Sequence, residues 1–190
     1  MNTQTVNQKR LPGDLAIWIF ILAELTVFAA LFLMFSVSKS MNVQMFAEGQ
    51  QTLHPLMGLI NTLSLITSSY FVAKAVLFAS KGQLKKSAQW IWMGIAIASI
   101  YLVTKFMEYQ ELMALGYNLR TNLFYTLYFF ITFFHFMHVL MGIVILIAVA
   151  NKAKKGGYDD DITGVETGAS YWHMVDMVWV VLFPLIYVIQ

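Results

Sequence analysis

The 190 residues are 59% hydrophobic and 12% charged, far to the apolar side of a soluble domain, in which about a quarter of the residues are charged. A net charge of +2 with no basic face gives no footing for a nucleic-acid partner. The absence of cysteine excludes disulfides, thiolate nucleophiles, iron–sulfur clusters and Cys-type zinc sites.

In chain order, a polar lead, Met1–Gly13, is expected to be mobile up to Pro12. Apolar runs of 20 or more residues follow at 15–37, 54–79, 87–111, 121–150 and 168–189. As helices rising 1.5 Å per residue, each can cross a hydrocarbon layer about 30 Å thick. The pattern predicts an all-α integral membrane bundle of five transmembrane helices in a single domain, 1–190. The first run is too long for a signal-peptide core and has no small-residue cleavage site after it, so it is expected to remain a span. Asp14 is placed to cap it and to favour its positive end.

Glu24 lies nine residues into that run, about 14 Å deep. An acidic group there costs about 2.5–3.5 kcal/mol on insertion scales. Two readings stand equally: a role in proton or lipid handling, and a structural hydrogen bond to a neighbouring helix.

In the second run Pro55 suits a first helical turn, where its missing N–H is not needed. Asn61, Thr62, Ser64, Thr67, Ser68 and Ser69 follow, and the Ser64/Ser68 spacing places small polar residues on one face for close packing. Gly94 and Ala98 repeat the device in the third run. Further along it, Lys105 and Glu108 stand three apart with Tyr109 beside them; an interfacial pair whose lysine snorkels and a functional pair are equally compatible with that spacing. In the fourth, His135 and His138 share a face near mid-membrane. Two imidazoles do not complete a metal or haem site, and no second inward His or Met pair supplies the rest, so hydrogen bonds to adjacent helices are expected.

The acidic run Asp159–Asp161 reads as a solvated loop. Thr163 and Glu166 have capping-box spacing, which predicts a helix start near Gly164. His173 and Asp176 share a face of the fifth run, flanked by Trp172 and Trp179. The buried Asp176 requires a partner, His173 or a group on another helix. Pro184 removes a bond to Val180 and predicts a bend near the far end.

Lysine and arginine placement orients the bundle. Lys9, Arg10, Lys81, Lys85, Lys86, Lys152, Lys154 and Lys155 fall on one side, Lys39 and Arg120 on the other, a split of eight to two. The positive-inside bias places the amino terminus in the cytoplasm and Gln190 outside.

Tyr171-Trp172-His173-Met174-Val175-Asp176-Met177-Val178-Trp179 resembles the last-helix signature of subunit III of haem–copper (cytochrome c) oxidases. Phe134-His135-Phe136-Met137-His138-Val139 resembles that family's two-histidine helix and Glu108-Tyr109 its Glu-Tyr pair. Asn61-Thr62 with Ser68-Ser69, and Trp18 to Glu24, resemble two further helices of the family. Order and spacing agree from Asp14 to Gln190, which implies the short, five-helix form. Departures are Ala23 where the family commonly has Ser, and Phe133 and Phe136 where glycines flank the first motif histidine. The retained Glu24 separates the chain from the five-helix quinol-oxidase branch and leaves it nearest to NorE-like subunits, encoded with nitric oxide reductase, or to short oxidase subunits.

The resemblance implies an accessory subunit without redox centres, multi-pass in the bacterial inner membrane. Such a subunit binds phospholipid in a helical cleft and docks on a catalytic subunit, of a haem–copper oxidase or nitric oxide reductase, that carries the haem and copper or iron. It also implies support of proton uptake and durability during turnover. It carries over Glu24 as the buried carboxyl, His135, His138, Glu108, His173 and Asp176 as the polar core, and Glu166 as a lipid-binding or helix-start acid. The alternatives are a self-contained membrane proton or small-molecule conduit built on Glu24, His135, His138 and Asp176, and a metalloenzyme.

Overall fold

The computed structural model describes residues 13–158 and 161–189. The polar lead up to Pro12, Asp159, Asp160 and Gln190 lie outside the described residues. Five helices are long and apolar enough to cross a membrane: α1 (Leu15–Met41), α3 (Pro55–Ala79), α4 (Leu84–Ala114), α5 (Leu123–Lys154) and α6 (Thr163–Phe183), the last continued by a π-helical turn, Pro184–Val188. A short helix, α2 (Val43–Gln51), joins α1 to α3. No strand occurs among the described residues.

The five apolar runs are all realised. Several helices extend past them, because hydropathy marks only the stretch that lipid must cover, whereas helical hydrogen bonding continues into water until a cap or a glycine stops it. Asp14 caps α1, its carboxylate 3.5 Å from the Ala16 N–H, and Asn122 caps α5 by accepting from the Tyr125 N–H at 3.1 Å. Pro55 opens α3 as the first-turn proline expected.

At the start of α6 the expected capping box does not form. The helix begins at Thr163, one residue before Gly164, and Thr163 donates from both its N–H and its hydroxyl to Asp161 Oδ1, at 2.9 and 2.5 Å. Glu166 Oε2 is engaged elsewhere, accepting from the Gly13 N–H at 2.9 Å, and Thr167 Oγ1 accepts from the Asp14 N–H. The start of α1 is thereby tied to the start of α6.

At the far end of α6, the carbonyl register that Pro184 breaks is resolved by a turn of π helix closed by the Ile189 N–H on the Pro184 carbonyl at 2.9 Å. Gln50 of α2 reaches over to donate to the Ile186 and Ile189 carbonyls at 2.7 and 3.0 Å, and Lys39 also donates to Ile189. These side chains satisfy carbonyls that the end of the helix leaves open.

Packing follows the small-residue pattern. Ser68 donates to the Gly94 carbonyl at 2.9 Å across α3 and α4, and a Cβ at Gly94 would lie 3.3 Å from Val72 Cγ2. Absent side chains and a direct side chain–backbone bond bring the two helices together, the mechanism available where no solvent drives apolar association. α5 runs through the centre, touching α1, α2, α4 and α6, while α1 is peripheral, with only Ile21, Phe28 and Phe35 fully buried.

Candidate functional site

Five polar residues of α5, Tyr125, Tyr128, Thr132, His135 and His138, recur every three or four positions, so they form one stripe along the helix. Each is buried, and each is satisfied by a different group. Tyr125 meets the Thr52 hydroxyl at 2.8 Å, Tyr128 accepts from Lys105 at 3.0 Å, and Thr132 accepts from Tyr109 at 2.9 Å. His135 Nδ1 lies 3.0 Å from the Tyr101 hydroxyl, and His138 Nε2 lies 3.1 Å from Glu24 Oε2. The stripe is the polar spine of the bundle.

Lys105 and Glu108 do pair, at 2.8 Å, but the lysine does not snorkel: its side chain is 0% exposed and that of Glu108 2%. Lys105 Nζ also donates to Tyr187 at 2.7 Å, so with Tyr128 and Glu108 all three ammonium protons have acceptors. The Tyr187 hydroxyl in turn donates to the Glu108 carboxylate, whose oxygens lie 2.8 and 2.9 Å away. The rings of Tyr109, Tyr128, Trp179 and Tyr187 surround the ammonium with centroids 4.8–5.5 Å away, adding cation–π attraction in a dry setting. Snorkelling fails because Lys105 points into the bundle, where a fully hydrogen-bonded ion pair is the remaining way to keep a charge.

Glu24 is not isolated either. His138 Nδ1 faces the Phe134 carbonyl at 2.8 Å; a carbonyl only accepts, so Nδ1 carries a hydrogen. The Nε2 to Glu24 contact then holds one further proton, residing on the carboxyl or on the imidazole. With side-chain exposures of 8% and 20% for His138 and Glu24, the pair sits at the edge of the bundle where α1 meets α5.

His135 is fully committed: the Val175 carbonyl, 3.1 Å from Nε2, fixes the N–H there, leaving Nδ1 to accept from Tyr101. His173 and Asp176 do not meet in a hydrogen bond. His173 Nδ1 lies 3.1 Å from the Ser69 hydroxyl, and Ser69 of α3, the group on another helix, is also the neighbour of Asp176. Asp176 Oδ1 remains buried without a partner among the described residues. Trp179 donates to Thr62 at 3.0 Å and packs on Tyr101 and His135. Glu166 stands apart from this core, at the Gly13 contact.

A metal or haem does not fit these residues. Both nitrogens of His135 and of His138 are engaged, and no group of three or more His, Cys, Asp or Glu that could hold an ion occurs among the described residues. The sequence reading overlooked Tyr101, Tyr128 and Tyr187. The spacing of the α5 stripe could have revealed Tyr128, but the other two lie on α4 and in the π turn, where no periodicity marks them.

A helical bundle with five apolar crossings, tied together by a buried polar spine, is a multi-pass membrane protein. The family model for cytochrome c oxidase subunit III matches residues 3–190. The chain belongs to the cytochrome c oxidase subunit III family. It is 31% identical to a cytochrome c oxidase subunit 3 of Thermostichus vulcanus, covering 92% of this chain and 86% of that protein. It is 26% identical to a probable quinol oxidase subunit 3 of Staphylococcus saprophyticus, covering 99% and 96%. A heme-copper oxidase subunit I+III of Aeropyrum pernix is 25% identical over 92% of this chain and 22% of its own length.

Proposed function

We propose that the chain is a non-catalytic accessory subunit of a respiratory haem–copper complex, seated beside the subunit that carries haem and copper or iron, and that it supports assembly, lipid binding and proton uptake there. The observation that carries the reading is the family match joined to the Glu24–His138 contact, a carboxyl–imidazole pair at the edge of a bundle that holds Lys105, Glu108 and His135 fully inside. The Aeropyrum relative, named as subunits I and III together, supports a catalytic neighbour. The proposed roles are a proton-holding carboxyl for Glu24, a partner base for His138, and a rigid polar core for His135, Glu108, His173 and Asp176. Glu166 acts as a tether between chain segments rather than as a helix cap.

The proposed orientation, amino terminus in the cytoplasm of a bacterial inner membrane, is supported by the clustering of cations: Lys85, Lys86, Lys154 and Lys155 border one hollow at one end of the bundle. Oxygen is the favoured acceptor of the complex, since the relatives above are named as oxidases. A nitric oxide reductase partner is the second reading, carried by the five-helix form and the retained Glu24.

Purification of the tagged chain from its own membrane in mild detergent is expected to bring down a haem-bearing partner, and assays of that preparation with oxygen and with nitric oxide separate the two acceptors. Recovery of the chain alone would overturn the subunit reading. A proton leak from the chain reconstituted by itself, abolished in Glu24→Gln, would establish the conduit in its place. In the complex, Glu24→Ala is expected to leave haem content unchanged while activity decays faster during sustained turnover; equal decay would remove the carboxyl from proton handling.

A further inference from the structure

With no cysteine in the chain, its nine tyrosines and five tryptophans are the side chains that most readily give up one electron. Four of the tyrosines lie in a run of ring contacts that leads from the buried Lys105–Glu108 pair to the α4–α5 loop. Tyr187 and Tyr128 share the Lys105 ammonium as donor, at 2.7 and 3.0 Å. Phe124 then bridges Tyr128 to Tyr125, its ring centroid 6.1 and 5.1 Å from theirs. Tyr125 stacks on Tyr117 with centroids 4.5 Å and planes 13° apart. These separations are those of rings in contact. The first four rings are buried, whereas Tyr117 is half-buried in the loop that follows α4.

The inner end has a base in place. Tyr187 donates to the Glu108 carboxylate, whose oxygens lie 2.8 and 2.9 Å away. An oxidised phenol is a strong acid, so a hydrogen-bonded carboxylate lets the electron and the proton leave together and the ring remains neutral. The ammonium, 5.3 Å from the Tyr187 centroid and 4.8 Å from that of Tyr128, repels positive charge on either ring. An electron vacancy at Tyr187 is therefore held there at a cost, since its proton sits on the carboxyl that balances Lys105. At Tyr117 the phenol proton can be lost to water instead. The difference drives the vacancy outward along the rings.

The hydrogen bonds of Lys105 account for the phenols of Tyr187 and Tyr128. They do not account for Tyr117 and Tyr125, stacked flat on each other, or for the unbroken ring contact from the lysine to the loop. Where rings only face lipid the chain uses phenylalanine, as at Phe106, Phe130 and Phe133.

We propose that Tyr187 is a redox-active tyrosine and that this run drains oxidising equivalents from the membrane interior to water. A high-potential one-electron oxidant in the membrane layer takes an electron from Tyr187, and its O–H bond breaks with the proton passing to Glu108. An electron from Tyr117 then fills the vacancy through Tyr125, Phe124 and Tyr128. The proton returns from Glu108 to Tyr187, and the phenol proton of Tyr117 goes to water. A water-borne reductant restores Tyr117, water returning the proton. The route lies within this chain and uses neither Glu24 nor a partner subunit, so its failure and that of the subunit reading are distinguishable.

The absence of cysteine makes the test site-specific. Val188→Cys, at an exposed position beside Tyr187, would carry a ruthenium bipyridine photo-oxidant on the full-length chain in nanodiscs. A flash with an electron-accepting quencher generates the oxidant, and the tyrosyl radical is followed by its transient absorption with ascorbate in the water. Tyr187→Phe is expected to abolish most of the radical. Tyr117→Phe, which keeps the stacked ring, is expected to leave the radical forming and to slow its removal by ascorbate several-fold. Radical formation should also slow in deuterated water, since the proton moves with the electron. Should Tyr187→Phe fail to fold, Tyr117→Phe at the surface carries the test. Unchanged radical yield in a folded Tyr187→Phe protein would overturn the proposal, and so would removal by ascorbate at the parent rate in Tyr117→Phe.

Discussion

Lys105→Met is expected to lower the stability of the bundle by about 3 kcal/mol or more, because breaking a buried ion pair strands the remaining charge. The methionine fills much the same space, so the loss is electrostatic: Glu108 would keep only the Tyr187 hydroxyl, and Tyr128 would lose its donor. Removing both charges should cost less than removing one. Lys105→Met/Glu108→Leu replaces the pair by apolar groups and is expected to recover a substantial part of the loss, since replacement of a whole buried pair is often close to neutral. Thermal midpoints of the two variants in detergent, read by near-ultraviolet circular dichroism, make the comparison. Equal midpoints would mean that Glu108 is not held by Lys105 in the folded protein.

The second large effect is steric. Gly49→Ala in α2 would put a methyl 2.1 Å from Cδ1 of Phe124 and 2.6 Å from two further ring atoms. Phe124 is fully buried and wedged among Phe46, Tyr125 and Tyr128, with ring centroids 5.1–6.1 Å apart. The ring has nowhere to go, so α2 must lift off α5. Overpacking of this kind costs about 1–3 kcal/mol or more. The displacement would also pull Gln50 away from the Ile186 and Ile189 carbonyls, loosening the π turn that carries Tyr187. Phe124→Leu in the same chain makes room and is expected to restore part of the midpoint. A Gly49→Ala protein as stable as the parent would show that α2 is not seated against Phe124.

The two variants probe opposite sides of what was legible in advance. Lys105 and Glu108 were visible as a pair from their spacing, yet the sequence alone left open whether the lysine turned outward to water or inward. That choice depends on Tyr128 and Tyr187, which arrive from other elements. Helix α2 was not expected at all, since its nine residues, though amphipathic, are too few and too polar on average to stand out beside runs of 20 or more. It is held by Phe46 and Gly49 fitting an aromatic cluster contributed by α1 and α5. The π turn shows the same division: Pro184 announced a break in the hydrogen-bond ladder, while the form of the break was settled by Gln50 and Lys39 reaching the freed carbonyls.

By itself, then, the sequence determined the five crossings, because the bilayer reads length and hydropathy one segment at a time. It also determined that Glu24, Glu108, His135, His138 and Asp176 would require partners, because an unsatisfied polar group inside the membrane is costly wherever it points. Only the tertiary structure decided who those partners are. Glu24 meets His138 across 114 positions of chain, and His173 meets Ser69 across 104. Such pairings depend on helix rotation and on where small residues such as Gly94 let two backbones close in, quantities to which the hydropathy of any single segment is blind.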